Sequence, residues 1–538
     1  MSKRTEGKEY RVYGPPGTGK TTWIVGKAKE YAELYGEDQV SLCSLTNTAV
    51  REVAGRDLTL DPGNVSTLHA RCKRALSAPA PAESKVKQFA EEHPNWATTD
   101  GVSPCLPKSL LRGSKDEEGE DMAETMFAAS REPSLYERAQ ILRQQMVPRC
   151  DWPFEVRRWF SVWESWCRDV GAMDYTGWLE ASLEVRPLPS QQVVFVDEAQ
   201  DHTPLQLAVI RSWDTRARIL VGDDDQNLYE WSGAIPKAFY GSELPAEREK
   251  VLEQSYRVPR RVHALATRWT NRIRDRKQKV YRPRDFEGSV DYSRFALADL
   301  AMGGQLPPGL LSDPEKTYML LTACGYMLSE TLTVLRDNGI AYHNPYRRSN
   351  PRWNPLHSPG EKIQHFLAAS GRGERIWSGA EALSWASILR AKDVFRPGMR
   401  EAFLARCEEV GGRLLSREDV EAHFSPGVVS RLYYGDLTVL AEFRKAGVTG
   451  SWPYALGIYS RPKEHWKPRV IVGTIHSVKG GEADMVYLFP ELSPSGYLDY
   501  TGYNSDRISR LFYVGITRAR EGVVLCQQSR PFQAVSWL

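Results

Sequence analysis

The chain has 538 residues, and single cores stop growing at roughly 250–300 residues, so several domains are expected. Hydrophobic residues make up 41% and charged residues 26%, as in a soluble globular protein, and a net charge of +3 leaves any polyanion contact to a local groove. With a polar start, Met1 to Glu6, no signal peptide is expected, and no apolar run approaches the roughly 18 residues needed to span a bilayer, so a soluble cytoplasmic protein is expected.

In chain order, Glu9 to Tyr13 alternates with β-rich residues, as a strand does. Gly14-Pro15-Pro16-Gly17-Thr18-Gly19-Lys20-Thr21 follows. Its glycines let consecutive backbone N–H groups turn inward onto phosphate oxygens, which a Cβ would obstruct. Lys20 offers a point charge to the β- and γ-phosphates, and Thr21 a hydroxyl ligand for Mg²⁺. From Thr22 to Tyr35 the spacing predicts a helix with Ile24, Ala28, Tyr31 and Leu34 on one face, ended by Gly36. A strand, a glycine turn and a helix N-terminus together point to a nucleoside triphosphate.

Farther along, Asp116 to Asp121 reads as a solvated acidic loop. Trp152, Trp159, Trp163 and Trp166 share one helical face, which reads as core packing rather than a platform for DNA. Val193 to Val196 is continuously apolar, the mark of a strand buried on both faces of a parallel sheet. Asp197-Glu198-Ala199-Gln200-Asp201 sits at its C-terminal end, where ligands bind in open α/β sheets. Asp197 is placed to hold Mg²⁺, and Glu198 to orient and deprotonate an attacking water.

A second strand, Arg218 to Gly222, leads into a loop from Asp223 to Trp231. Gln226 is placed to touch both the γ-phosphate and the neighbouring site. Tyr229 and Trp231 suit stacking on unpaired bases, with a core aromatic an equal reading for Trp231. The basic stretch from Arg268 to Arg284 reads either as a phosphate track or as a solvated helix face. Strand-like runs recur at Thr317–Leu321, Val470–Gly473, Asp484–Leu488 and Gly522–Leu525, and a hinge-like linker lies between Asn344 and Gly360. The eight cysteines are scattered without a C-x-x-C pair or a histidine partner at zinc spacing, which argues for buried thiols.

These motifs, in this order, resemble the superfamily 1 helicases of the UvrD/Rep/PcrA group over nearly the whole chain. Ser44 to Glu52 is similar to the first DNA-contact motif of that family, which implies contacts from Thr46 and Asn47. Ser66 to Ala70 is similar to the next, implying Thr67 and His69. Leu252 to Arg257 resembles the fourth motif, in which Tyr256 stacks on the base of the nucleotide and Arg257 reaches the γ-phosphate. Gly473 to Glu482 resembles the fifth, implying a ribose contact from Glu482 and DNA contacts from Thr474 and His476. Leu511 to Arg520 resembles the sixth, with Arg518 as the second γ-phosphate arginine. Gly171 to Tyr175 resembles a signature near the end of the first insertion.

The resemblance implies an α/β fold of two RecA-like parallel-sheet P-loop core domains, each with an inserted, mainly helical subdomain. The first core takes residues 1–80 and 186–247, its insertion 81–185, the second core 248–345 and 466–538, and its insertion 346–465. The implied catalytic set is Lys20, Glu198, Gln226, Arg257 and Arg518. ATP is expected at Gly14, Pro15, Pro16, Gly17, Thr18, Gly19, Lys20, Thr21, Thr22, Tyr256, Arg257, Glu482 and Arg518, and Mg²⁺ at Thr21 and Asp197. DNA contacts fall to Thr46, Asn47, Thr67, His69, Tyr229, Trp231, Thr474 and His476.

The implied activity is an ATP-dependent 3′–5′ helicase or translocase acting on single-stranded DNA and single-strand/duplex junctions in repair, replication or recombination. A monomer without membrane contact is expected. Two alternatives stay open: a single-strand translocase that unwinds poorly, and a non-enzymatic DNA-binding regulator switched by ATP. Three departures from the family pattern stand out. No adenine-reading Gln precedes Gly14, Leu45 stands where a base-contacting Phe is frequent, and Ser232 follows Trp231 where an Arg is usual. Weaker preference for ATP over GTP and a trimmed motor are therefore expected.

Overall fold

The computed structural model describes residues 8–44, 60, 62–97, 105–107, 110, 133–185, 191–348, 350–368, 376–445, 451–529 and 533–537. The expected acidic loop at Asp116–Asp121 lies outside them. Two compact units form: Met1–Ala296, Leu321–Tyr326 and Thr474–Leu538 in the first, Leu297–Leu320 and Met327–Gly473 in the second.

The first unit is built on a six-stranded parallel sheet of β1 (Lys8–Tyr13), β2 (Val40–Ser44), β3 (Val65–Thr67), β4 (Val193–Val196), β5 (Ala217–Gly222) and β6 (Glu249–Val251). Their order is β3-β2-β4-β5-β1-β6. Successive side chains point to opposite faces of a strand. Val12, Leu42, Phe195, Ile219 and Val221 accordingly pack with Ile24 and Ala28 on one face. Tyr13, Cys43, Val194, Val196 and Leu220 pack with Leu205, Leu207 and Phe239 on the other. Burial on both faces explains why β4 reads as an unbroken apolar run.

The helix after the phosphate loop spans Lys20–Tyr35 and ends at Gly36, whose N–H donates to Ala32 O at φ 99°. Its buried stripe is Ile24, Val25, Ala28 and Ala32. Leu34, expected on that stripe, is 72% exposed. Six residues beyond Ala28 it has turned about 120° away from the sheet.

The tryptophan face is core packing, as expected. Trp159, Trp163 and Trp166 lie in the helix Phe154–Asp169, with Trp152 just before it, and all four are buried. Trp159 and Trp163 stack at 5.8 Å, and Phe89 meets Trp159, Trp163 and Trp166 edge-on. Two indole N–H groups donate to carboxylates: Trp163 Nε1 to the buried Asp174 Oδ2 at 3.0 Å and Trp166 Nε1 to the exposed Glu92 Oε2 at 2.7 Å.

Later strands are β7 (Gln254–Pro259), β8 (Arg282–Arg284), β9 (Ser289–Tyr292), β10 (Tyr318–Thr322), β11 (Tyr342–His343), β12 (Val470–Thr474), β13 (Ala483–Leu488) and β14 (Ala519–Leu525). In the first unit β7 pairs with β8, and β14 lies between β13 and β9, all in parallel. In the second unit β11 and β12 pair in parallel beside a helical core around Phe366, Trp377, Trp385, Phe403 and Phe424. The parallel α/β architecture is that of RecA-like P-loop core domains, as expected.

The segment expected to be a hinge-like linker is tied down by its own asparagines. The Asn344 N–H donates to Asn354 Oδ1 at 3.0 Å, Asn344 Nδ2 to Val472 O at 2.9 Å, and Asn354 Nδ2 to Arg347 O at 2.6 Å. Among the described residues no helix is long and apolar enough to cross a membrane, and all cysteines but Cys150 are buried.

Trp163→Ala should destabilise the folded chain by about 3–5 kcal/mol, because it empties a fully buried indole site and strands one Asp174 hydrogen bond. The shift in the denaturant-unfolding midpoint of the full chain measures it.

Candidate active site

Gly14 begins where β1 ends and is fixed to β5 by its N–H donating to Gly222 O at 2.9 Å. Gly17 and Gly19 adopt φ of 74° and 77°, a left-handed backbone that glycine enters without a Cβ penalty. This turn feeds directly into the N-terminus of the helix starting at Lys20, where N–H groups and the helix dipole favour an anion. Lys20 Nζ donates to Gly14 O at 3.0 Å and lies 3.9 Å from Glu198 Oε1.

A distant part of the chain grips the back of this loop. Ser255 Oγ and Tyr281 OH both donate to Pro16 O at 2.9 Å, and the Tyr256 N–H donates to Gly17 O at 2.8 Å. A Cβ on Gly17 would stand 2.5 Å from Arg257 Cβ, so the close approach itself requires glycine. Tyr256 keeps its ring in solvent, 72% exposed.

β4 delivers the acidic pair. Asp197 is buried and its Oδ1 accepts from the Glu198 N–H at 2.9 Å. Glu198 has φ 49°, a strained conformation for a residue with a side chain, and of the kind that gathers at functional turns. Burial disfavours its charge, but the ammoniums of Lys20 and Lys479 outweigh that and hold the carboxyl well below its usual range. Gln200 Nε2 donates to its Oε2. The Thr21 hydroxyl and the Asp197 carboxylate are hard oxygen donors, and Mg²⁺ is commonly held by one or two carboxylates plus phosphates and water. No group of three His, Cys, Asp or Glu side chains that could hold a metal occurs among the described residues.

β5 delivers Gln226, which is buried. Its Nε2 donates to Asp223 Oδ2 at 2.7 Å, and its Oε1 accepts from Arg518 Nη2 at 3.2 Å. Arg518, 1% exposed, also donates to Val514 O and Gly481 O. Arg257 Nε donates to Glu482 Oε2 at 2.7 Å. The structure therefore gathers Lys20, Glu198, Gln226, Arg257, Glu482 and Arg518 around the phosphate loop.

The expected DNA contacts fare unevenly. Tyr229 and Trp231 are half-buried with ring centroids 6.0 Å apart, and the buried Trp231 Nε1 finds no acceptor among the described residues. Thr67 caps the helix Leu68–Leu76, accepting from the Ala70 N–H at 3.3 Å, and His69 lies edge-on to Tyr175. Thr474 and His476 are buried, and Thr474 Oγ1 accepts from the Ser477 N–H. Thr46 and Asn47 lie outside the described residues.

Two features escape the sequence reading. Lys479 stands inside the fifth motif, yet its partner Asp201 is 278 residues away; it also lies 3.7 Å from Glu198 Oε2 and donates to Gln226 O at 3.0 Å. The basic stretch is not one helix face, because the helix ends at Thr270, and part of it turns inward. Lys279 is buried against Asp223, Asp224 and Asp225, and Arg276 pairs with Asp225. Three adjacent carboxylates at the end of a buried strand are the sequence signal that cations must come to them.

Residues 2–232 match the model of an AAA domain, and residues 469–526 that of a UvrD-like helicase C-terminal domain. The chain belongs to the UvrD/Rep-like superfamily 1 helicases. The proteins named ATP-dependent DNA helicase UvrD2 from Mycobacterium tuberculosis and Mycobacterium bovis are each 25% identical over 354 residues, 61% of this chain and 46% of theirs. The ATP-dependent DNA helicase Rep of Escherichia coli is 36% identical over 90 residues, 16% of this chain and 13% of that protein. The match thus spans less than half the length of these UvrD/Rep-like relatives.

Burial pushes the Asp201 pKa from 3.8 up to about 6 despite Lys479, so the folded chain holds that proton more tightly than the unfolded chain. The resulting stabilisation is complete below about pH 4 and lost as pH rises through about 6. Asp201→Asn lacks this dependence, so the native chain's stability relative to it should fall by up to about 3 kcal/mol between about pH 4 and pH 6. Urea unfolding of both proteins across that window is the measurement.

Proposed function

We propose that this chain hydrolyses ATP and uses the cycle to move 3′→5′ along single-stranded DNA, displacing the complementary strand. The observation that carries this reading is the meeting of Arg518 with Gln226 at 3.2 Å beside the loop that holds Lys20. An arginine from a late segment already touches the group best placed to sense a γ-phosphate. The names of the UvrD/Rep-like relatives support the same activity.

In this mechanism the loop N–H groups and Lys20 bind the phosphate tail, Lys20 leaving Gly14 O to do so. That move withdraws one of the two ammoniums lowering the Glu198 pKa and so raises its basicity as the substrate arrives. Glu198 then accepts the proton of the attacking water. Arg257 and Arg518 neutralise charge developing on the transferred phosphoryl group, and Thr21 and Asp197 would hold a Mg²⁺ that would add further positive charge there. Tyr256 offers an exposed ring for the base, and Glu482 a carboxylate for the ribose. Gln226 sits three residues before Tyr229 in one loop, so an arginine that closes on the nucleotide pulls on the aromatic pair available for stacking with DNA bases.

A second reading, a translocase that unwinds poorly, is favoured by Ser232. Its Oγ donates to Tyr229 O at 2.8 Å and closes its own turn, where an arginine would bridge outward. Substrates with 3′ or 5′ single-stranded tails separate the readings. Displacement only from 3′ tails is expected, whereas robust ATPase without displacement would favour the translocase, and displacement from 5′ tails alone would overturn the polarity.

Lys20→Ala should abolish turnover while leaving most single-strand binding, measured by phosphate release beside fluorescence anisotropy; parallel loss of both would contradict separate sites. Arg518→Ala should lower DNA-stimulated turnover by about 10³–10⁵, the usual value of such a finger. Steady-state kinetics at saturating nucleotide measures it.

A further inference from the structure

The carboxylates of Asp223, Asp224 and Asp225 follow β5 in direct succession, and each is 1% exposed or less. One ammonium serves all three: Lys279 Nζ lies 3.0, 2.6 and 2.8 Å from them in turn. Around it Arg276 Nε donates to Asp225 Oδ1 at 2.7 Å, and the Lys277 N–H donates to Asp224 Oδ2 at 2.7 Å. Arg510 donates to Asp224 O and to Glu230 Oε1. Most of this is a clamp, but one arm continues into the site. Asp223 takes Lys279 on Oδ1 and the Gln226 amide nitrogen on Oδ2, and the Gln226 amide oxygen faces Arg518.

A side-chain amide has a donor end and an acceptor end, and the two can exchange places by a half-turn. A fixed anion at Asp223 selects the orientation with nitrogen inward and oxygen toward Arg518. Removing the Lys279 charge would leave three adjacent buried carboxylates with Arg276 as the nearest remaining counter-charge, and at least one would take up a proton or swing away. The Gln226 amide would then lose its direction. We propose that Lys279 is a positioning residue for hydrolysis: it fixes Asp223, which orients the Gln226 amide toward Arg518. It acts through other side chains and touches no reacting atom. The inference rests on the hydrolytic reading of this site.

Lys279→Met, Gln226→Ala and the double variant of the full chain test it by DNA-stimulated ATPase kinetics and titration with a fluorescent ATP analogue. Groups acting as one unit are non-additive, so Lys279→Met should lower kcat by about tenfold or more, yet the double variant should match Gln226→Ala within about threefold. Nucleotide affinity should change by less than about threefold, because Lys279 holds no part of the loop. Losses that multiply in the double variant, or a kcat for Lys279→Met within about twofold of the native value, would overturn the relay. Should Lys279→Met fail to fold, Asp223→Asn keeps the shape and balances two carboxylates against Lys279 and Arg276; the same non-additivity with Gln226→Ala is expected, and multiplying losses again overturn the proposal. A native chain without DNA-stimulated turnover would defeat the hydrolytic reading itself, whereas native turnover with unaffected variants would defeat the relay alone.

Discussion

Glu198 sits between two ammoniums that come from opposite ends of the chain, Lys20 of the phosphate loop at 3.9 Å and Lys479 at 3.7 Å. A carboxylate in that position is ionised at the expense of basicity, and it cannot serve both cations equally once an anion competes for Lys20. The electrostatics of the site are therefore set to respond to a phosphate tail. The strained φ of Glu198 and the hydrogen bond from Gln200 keep the carboxylate in place for that response. The proposed role of Glu198 as the base depends on that arrangement.

The parallel sheet explains why the groups meet. β1, β4 and β5 run in the same direction, so their C-terminal ends open on one edge, and the phosphate loop, Asp197-Glu198 and Asp223-to-Gln226 emerge side by side. Interiors buried on both faces make the strands rigid and leave only their ends free for polar chemistry. Late segments then supply cations to that edge: Arg257 after the loop-gripping Ser255, Lys479 after β12, and Arg518 before β14.

Buried charge is used here twice and for different ends. Near Glu198 the pairing is incomplete, with Lys479 shared between Glu198, Asp201 and Gln226 O, and such a site can change partners. Around Lys279 the pairing is dense and dry, and it holds fixed the loop from which Gln226 reaches Arg518. A responsive centre beside a rigid support is what a chemical cycle coupled to movement requires.

The sequence by itself determined the phosphate loop, the apolar strands with their acidic ends, the tryptophan core and the order of the motifs. Each of these is local: a glycine turn, a four-residue apolar run or a helical stripe is dictated by neighbours within one or two turns of chain. Even so, Leu34 escaped its stripe because helical phase drifts over six residues. What only the tertiary structure decided involves partners from 51 to 278 residues apart. Lys479 and Asp201 carry no mark of each other in the sequence, and nothing in the basic stretch marks Arg276 and Lys279 as the cations that meet the aspartates after β5. Folding brought them to the aspartates, since a buried carboxylate without a counter-charge costs more than the chain could tolerate. Thr474 and His476 are likewise buried by packing that their motif does not reveal.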